Sequence, residues 1–285
     1  MRPSLPTTAS LAVITDLDGC LLDARDYGFD PARAVLRRLR RWGVPLVLCT
    51  SKTRAELRVL FAALGSAHLA VIEDGGGILV PPGFARHTSL PGARRTRDGR
   101  LLGLSASYRV VRRAFRRLAH VTHGAVRGFG DMPAAELARM SGLTLHAARL
   151  AKRREFDEPF LFLRDGRRQA PRAHRFATRL GLAVTHGGRF FHLHGQTDKG
   201  WAIRLVRRLL LEPAHGTLTV IALGDSALDA PMLREADHAI IVPTPSGRPD
   251  PSLRRLVPGA SIAPAPGPAG WARVVAGTLR RYGVA

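Results

Sequence analysis

The chain of 285 residues lacks most features that would tie it to a special environment. It has two cysteines, Cys20 and Cys49, too few for a disulfide framework, so a reduced, cytoplasmic setting is the expectation. No apolar run approaches the ~18 residues that suggest a membrane span. The apolar stretch near the start is broken by Asp16 and Asp18, with no small-residue cleavage site after it, so a secretory signal is not expected either. Acidic residues are scarce beside basic ones, 22 against 44, for a net charge of +22. That excess raises nucleic acid, membrane surfaces and anionic substrates as partners. Lysine is almost missing: Lys52, Lys152 and Lys199 stand alone among 41 arginines, a bias that draws attention to the few lysines kept. Aromatics are only 6%, and the arginine clusters are scattered rather than gathered in one stripe with aromatics between them. They read as solvated faces, and specific nucleic-acid binding is not expected, though non-specific binding at low salt is compatible with the charge. What is plentiful is ordinary: 45% hydrophobic residues, enough to bury a core without staples.

The hydrophobic pattern gives the organisation. Residues 11–15 read as a buried strand, 32–42 as a helix with one apolar face, 44–50 as a second strand, 53–64 as a helix and 68–74 as a third strand. Gly75 to Gly77 then mark a tight turn leading to a hairpin rather than a dinucleotide fingerprint. This alternation predicts an α/β fold with a parallel sheet and right-handed crossovers. Residues 86–104, rich in Arg, Gly and Pro, read as a linker or loop. Helices at 106–119, 133–140 and 145–154 and strands at 159–164, 182–187 and 189–194 then suggest a smaller α/β unit. From 198 the first pattern resumes, with a strand at 217–225 and a last helix near 269–281. The expected division is a core of 1–85 and 195–285 with an inserted unit of 86–194.

Three buried strands end in polar residues: Asp16 and Asp18, Thr50 and Ser51, and Asp225. Strand ends of an open parallel sheet converge at a switch-point crevice, so these distant residues should meet. Crowded carboxylates repel one another unless a cation sits among them, and oxygen donors without His or Cys suit Mg²⁺. Mg²⁺ and the helix N-termini at that edge both favour phosphate.

These residues resemble the haloacid dehalogenase superfamily of phosphohydrolases. DLDGC (16–20) is similar to its DxDGT signature, Thr50 to its second motif, Lys199 in DKGWA to its third and GDSALD (224–229) to its fourth. The resemblance implies a Rossmann-like parallel-sheet core carrying an α/β cap where residues 86–194 lie. More narrowly, SKTRAE (51–56), EDGGGI (73–78), KRREFDEP (152–159) and GRFFHLHG (188–195) resemble the mannosyl-3-phosphoglycerate phosphatase family, and the likeness spans nearly the whole chain.

The resemblance implies a Mg²⁺-dependent phosphatase acting on a phosphorylated sugar-glycerate. Asp16 would be the nucleophile, Asp18 the acid and base, and Thr50 and Lys199 the groups holding the phosphoryl oxygens. Asp16, the Asp18 carbonyl and Asp225 would hold the metal, with Asp229 assisting there or at Lys199. Candidate substrate contacts are Ser51, Lys52 and Arg54 beside the strand end, and Arg153, Arg154, Glu155, Glu158 and His194 in the inserted unit. For Lys52 and Arg54 the alternative is a solvated first turn of helix, and for the charges at 153–158 it is ion pairing within the unit. His186, His192 and His194 have no zinc-like spacing and read as structural or substrate-facing. Two departures stand out: Cys20 where the family often has Thr, and Leu228 where many relatives have Asn. Alternative activities are a phosphatase for the glucosyl analogue or hexose phosphates, a phosphomutase, or a basic nucleic-acid-associated protein on a degenerate fold of this class.

Overall fold

The computed structural model describes residues 9–84, 90–211 and 217–284. In chain order the regular elements are β1 (Ala9–Thr15), α1 (Arg33–Trp42), β2 (Leu46–Cys49), α2 (Arg54–Leu64), β3 (Leu69–Ile72), β4 (Gly77–Val80), β5 (Arg94–Thr96), β6 (Gly99–Gly103) and α3 (Tyr108–Val121). They continue with β7 (Val126–Gly128), α4 (Ala134–Ser141), α5 (Leu145–Ala151), β8 (Asp157–Phe162), α6 (Ala170–Arg179), β9 (Leu182–Gly187) and β10 (Phe190–Gly195). The chain closes with α7 (Lys199–Leu210), β11 (Thr217–Gly224), α8 (Ala230–Arg234), β12 (His238–Ile241), α9 (Pro251–Leu256), β13 (Ser261–Ile262) and α10 (Gly267–Arg281).

The larger sheet runs β13-β12-β11-β1-β2-β3-β4-β6-β5. Its first six strands are parallel and the β4, β6 and β5 edge is antiparallel. Side chains alternate across a strand, so β1 feeds both faces at once. Leu11 and Val13 pack with Leu39 of α1, Leu57 of α2 and Trp271 of α10. Ala12 and Ile14 pack with Ile203 and Val206 of α7 and Met232 of α8 on the other side. Both faces being covered explains why these strands read as continuous apolar runs. The helices are stopped by local chemistry. Thr53 and Glu56 form a capping box at the start of α2, and Gly43 and Gly65, both left-handed, close α1 and α2.

A second, antiparallel sheet, β7-β8-β10-β9, carries its own core of Phe115, Phe160, Phe191 and Leu193 beneath α3 and α6. It is fastened to the β3–β4 turn. The buried Glu73 carboxylate accepts N–H bonds from Glu155, Phe156 and Asp157 at 2.9, 2.8 and 3.1 Å. The Phe156 ring lies against Gly76 and Gly77, where a Cβ would meet the Phe156 side chain at 2.5 and 2.7 Å.

One expectation is corrected. Of the stretch 86–104 read as a loop, residues 86–89 lie outside the described residues, but β5 and β6 form a hairpin that extends the larger sheet through β4. The edge strand β5 is Arg-Arg-Thr, and β6 offers only Leu101 and Leu102 side by side between glycines, so neither shows an alternation that periodicity finds. Among the described residues no helix is long and apolar enough to cross a membrane.

The buried Trp271 ties this core to the sheet edge used below. Its Nε1–H donates to Thr15 Oγ1 at 2.9 Å, and that hydroxyl donates to the Asp16 carbonyl at 2.7 Å. Trp271→Phe should therefore cost about 1–3 kcal/mol of stability from the lost hydrogen bond and packing, read as a lower urea midpoint at unchanged m-value.

Candidate active site

The carboxyl ends of β1, β2, β3 and β11 place Asp16, Thr50, Asp74 and Asp225 at one edge of the parallel sheet, where helix α7 begins with Lys199. The turn after β1 allows close approach. Gly19 has φ +79°, and a Cβ there would stand 2.5 Å from Asp225 Oδ2, so both the backbone conformation and the space call for glycine.

Lys199 is the centre of the arrangement. Its buried Nζ donates to Asp16 Oδ1 at 2.8 Å and to Asp229 Oδ1 at 2.7 Å, and lies 3.5 Å from Asp74 Oδ1. Burial works against the ammonium, but Asp16, Asp229 and Asp74 outweigh it and hold the group charged, well above its ordinary range. Asp229 is fixed on its other side as well: Oδ2 accepts from the Asp225 and Ser226 N–H groups at 3.1 and 3.0 Å. It is thus an anchor for Lys199 and for the turn after β11. Burial pushes the Asp16 carboxyl up, and Lys199 opposes that shift.

One carboxylate oxygen from each of Asp16, Asp225 and Asp229 lies within 4.8 Å of the others, a spacing that could hold a metal ion. Burial, then the neighbouring Asp229 charge, pushes Asp225 up to about 7. Crowded carboxylates with a raised proton affinity and an oxygen-only donor set fit a hard divalent cation.

The candidates around this centre separate into two groups. Asp18, Ser51, Lys52, Arg154 and His192 line one cleft, together with Tyr27, Phe129 and Phe190. Within it Lys52 Nζ lies 2.8 Å from the Asp18 carboxylate and 4.8 Å from the centre of the Tyr27 ring. Thr50 is buried next to Ser51 and Lys52, its hydroxyl accepting the Lys52 N–H at 3.1 Å. The second group is occupied inside the protein. Arg54 bonds Asp98 and Glu155, and Glu155 also bonds Arg94. Glu158, fully buried, accepts from Tyr108 at 2.6 Å and from the Gly130 N–H at 2.8 Å. His194 uses Nδ1 on the Gly195 carbonyl at 2.7 Å and Nε2 on Thr185 at 3.1 Å, which leaves neither ring nitrogen for a ligand. Arg153 is exposed. Ion pairing is therefore what the structure shows for Arg54 and Glu155, and it runs between the two sheets rather than within one unit.

Both departures have local explanations. Cys20 is fully buried with Sγ 3.5 Å from Thr15 Oγ1, and burial pushes its thiol up, so it acts as a small core group. Leu228 packs against Gly187 of β9, where a side chain would collide with it. Sequence reading missed Asp74 and the Asp157–His192 pair, whose Nδ1···Oδ2 distance is 2.8 Å. Asp74 had a signal: an acid at the end of a buried strand, as at Asp16 and Asp225.

No family model matches the chain. It is 35% identical over 259 residues to the glucosyl-3-phosphoglycerate/mannosyl-3-phosphoglycerate phosphatase of Methanococcoides burtonii, covering 91% of this chain and 93% of that one. It is 33% identical to the protein of the same name from Persephonella marina, over 92% and 94% of the two chains. Among solved structures, a haloalkanoate (HAD) enzyme superfamily phosphatase from Bacteroides thetaiotaomicron matches at TM-score 0.65 and 15% identity, over 100% of this chain and 99% of that one. A HAD subclass IIB sugar phosphatase matches at TM-score 0.63 and 12% identity, over 98% and 100%.

The carboxylates predict a pH response in chelator. A folded acid whose proton affinity is raised binds more protons than the unfolded chain, so its contribution to stability is lost as pH rises towards its folded pKa. Asp225, at about 7, and Glu73, pushed up to about 8 by burial, act this way. His68, lowered to about 4, acts in the opposite sense, but only below the ordinary range of histidine. Between roughly pH 6.5 and 8 the melting temperature should therefore fall. A divalent cation should raise it at the upper end, and in Asp225→Asn both the fall and the cation effect should shrink.

Proposed function

This chain belongs to the family of glucosyl-3-phosphoglycerate/mannosyl-3-phosphoglycerate phosphatases and is a phosphoric monoester hydrolase, and on that premise we propose that it releases phosphate from mannosyl-3-phosphoglycerate and its glucosyl analogue through an aspartyl-phosphate on Asp16. The observation that carries this reading is the convergence of Asp16, Lys199, Asp229 and Asp225 from separate stretches of chain.

The chemistry follows from what each group has free. Asp16 has Oδ1 bonded to Lys199, and the other oxygen attacks phosphorus. Asp18, on the same turn, gives a proton to the leaving glyceryl oxygen as its bond to phosphorus breaks. It then takes a proton from the water whose oxygen attacks phosphorus and frees Asp16. Lys199 holds the nucleophile in place and offsets the charge that gathers when an anionic carboxylate meets an anionic phosphate. The Thr50 hydroxyl bonds a phosphoryl oxygen. Mg²⁺, held by the Asp16 and Asp225 carboxylates with the Asp18 carbonyl, supplies further neutralisation of that charge when bound. An incoming substrate anion competes with Asp18 for Lys52, while Ser51 and Arg154 line the space for the organic part. The sheet β7-β8-β10-β9 closes that space as a cap, excludes water and selects the leaving group.

The reading predicts phosphate release from both glycosyl phosphoglycerates with Mg²⁺, none in EDTA, and a loss of about 1,000-fold or more in Asp16→Asn. A colorimetric phosphate assay with the purified protein measures all three. Release unaffected by Asp16→Asn would remove the mechanism, and release from hexose phosphates but from neither glycosyl compound would remove the substrate.

A further inference from the structure

Asp74 is the polar group in the site that the proposed chemistry leaves without a role. It is 7% exposed, and among the described residues neither carboxylate oxygen accepts a hydrogen bond, Oδ1 having only the Lys199 ammonium at 3.5 Å. A buried carboxylate without a hydrogen bond is costly, and this one sits on a costly backbone too: Glu73 and Asp74 both lie in the left-handed region, with φ +49° and +54°. The Asp74 N–H donating to the Thr50 carbonyl at 3.1 Å and the Glu73 N–H donating to the Lys52 carbonyl at 3.2 Å hold that turn in place. So the fold gives up stability to keep a free acceptor at this point.

Its surroundings define what it could accept. Lys199 lies on one side at 3.5 Å. On the other, one oxygen or nitrogen from each of Asp74, Asp157 and His192 falls within 4.8 Å of the others. Asp157 is already paired with Arg154 and with His192 Nδ1. Those partners, against the pull of burial, hold it ionised, well below the usual carboxylate range. An ionised Asp157 is an acceptor only and fixes a proton on Nδ1, which leaves Nε2 as the nitrogen without a hydrogen bond among the described residues, on a ring that lines the substrate cleft. A metal ion is a poor occupant here, because Asp157 is already committed to the Arg154 guanidinium and to His192 Nδ1, which leaves too few free donors to hold one. A second anion is excluded by Asp74 itself. A neutral hydroxyl donor fits both constraints.

We propose that Asp74, with His192 beside it, is a specificity-determining acceptor for alcohol hydroxyls on the organic part of the substrate. The inference rests on the phosphatase reading above and names how that site reads a polyol. Asp74 bridges the two functions of the site: through Lys199 it touches the phosphoryl end, and through the His192 cluster it reaches the cap sheet. A hydroxyl bonded to the carboxylate supplies the missing hydrogen bond, so a polyol substrate is favoured and an ester without hydroxyls leaves the carboxylate without one.

The test compares two substrates in wild type and in Asp74→Asn, a substitution that keeps the volume and tolerates the left-handed backbone. One substrate is the glycosyl phosphoglycerate, and the other is p-nitrophenyl phosphate, whose leaving group has no hydroxyl donor. The ratio of their kcat/KM values should fall about 10–100-fold, chiefly through KM of the glycosyl substrate. The melting temperature should stay level or rise, because a buried carboxylate without a hydrogen bond has been replaced by an amide that can donate as well as accept. A ratio unchanged within about twofold would show that Asp74 acts only through Lys199, by an equal effect on both esters, and would overturn the proposal. His192→Gln should lower the same ratio in the same direction. If wild type cleaves hexose phosphates and neither glycosyl phosphoglycerate, the substrate assignment falls. The ratio measured with the hexose phosphate then decides the role of Asp74 by the same criterion.

Discussion

One buried ammonium governs this molecule. Lys199 alone among the described residues forms ion pairs with Asp16, Asp74 and Asp229, and Asp225 stands next to them. More carboxylates than cations in a desolvated space is an unstable arrangement unless something anchors every oxygen that is not needed. The anchoring is visible: Asp229 places one oxygen on Lys199 and the other on two backbone N–H groups. What is left over is a free oxygen on Asp16, a raised Asp225 and an Asp74 that, among the described residues, has the Lys199 ion pair but no hydrogen bond. These unsatisfied groups are the ones that a cation, a phosphoryl group and a hydroxyl can complete.

The sheet makes this arrangement possible. Its parallel strands end together, so side chains as far apart in sequence as Asp16 and Lys199 arrive within a hydrogen bond. Trp271 and Thr15 fix the backbone of Asp16 from beneath, and the β3–β4 turn fixes the second sheet from the side through Glu73. That one turn carries Glu73 for the second sheet and Asp74 for the site in adjacent positions. The strained pair therefore couples the placement of the second sheet to the placement of an acceptor beside Lys199. Each lysine kept in this arginine-rich chain acts as a point charge. Lys199 serves carboxylates, Lys52 serves Asp18, and Lys152 serves the carbonyls of Phe129 and Met132.

Much of this was legible in the sequence, for a physical reason. Buried strands of a doubly covered sheet are apolar runs, and a run that stops at an acid, as at Asp16 and Asp225, marks both a strand end and a site. The α/β order follows from that, while the four motif positions come from the resemblance to the haloacid dehalogenase superfamily. What could not be read was which charges meet. Glu155 bonds Arg54, 101 positions away, and Glu73 caps backbone N–H groups more than 80 positions on. His194 and Glu158 look like ligands in a motif string, yet their hydrogen bonds are used up inside the protein. Local spacing carries no record of long-range partners. The β5–β6 hairpin escaped for a different reason, since its residues have no alternation to detect.

The central claim is that the anchored Asp16 carboxylate forms a covalent bond to phosphorus. Mixing the protein with the glycosyl phosphoglycerate and Mg²⁺, quenching in acid within milliseconds and weighing the peptide that contains Asp16 tests it directly. The account predicts a transient gain of one phosphoryl group on that peptide, at a level approaching the enzyme concentration, and its absence in Asp16→Asn. Steady phosphate release with no labelled peptide at any quench time would contradict it, because water would then be attacking the substrate without passing through Asp16.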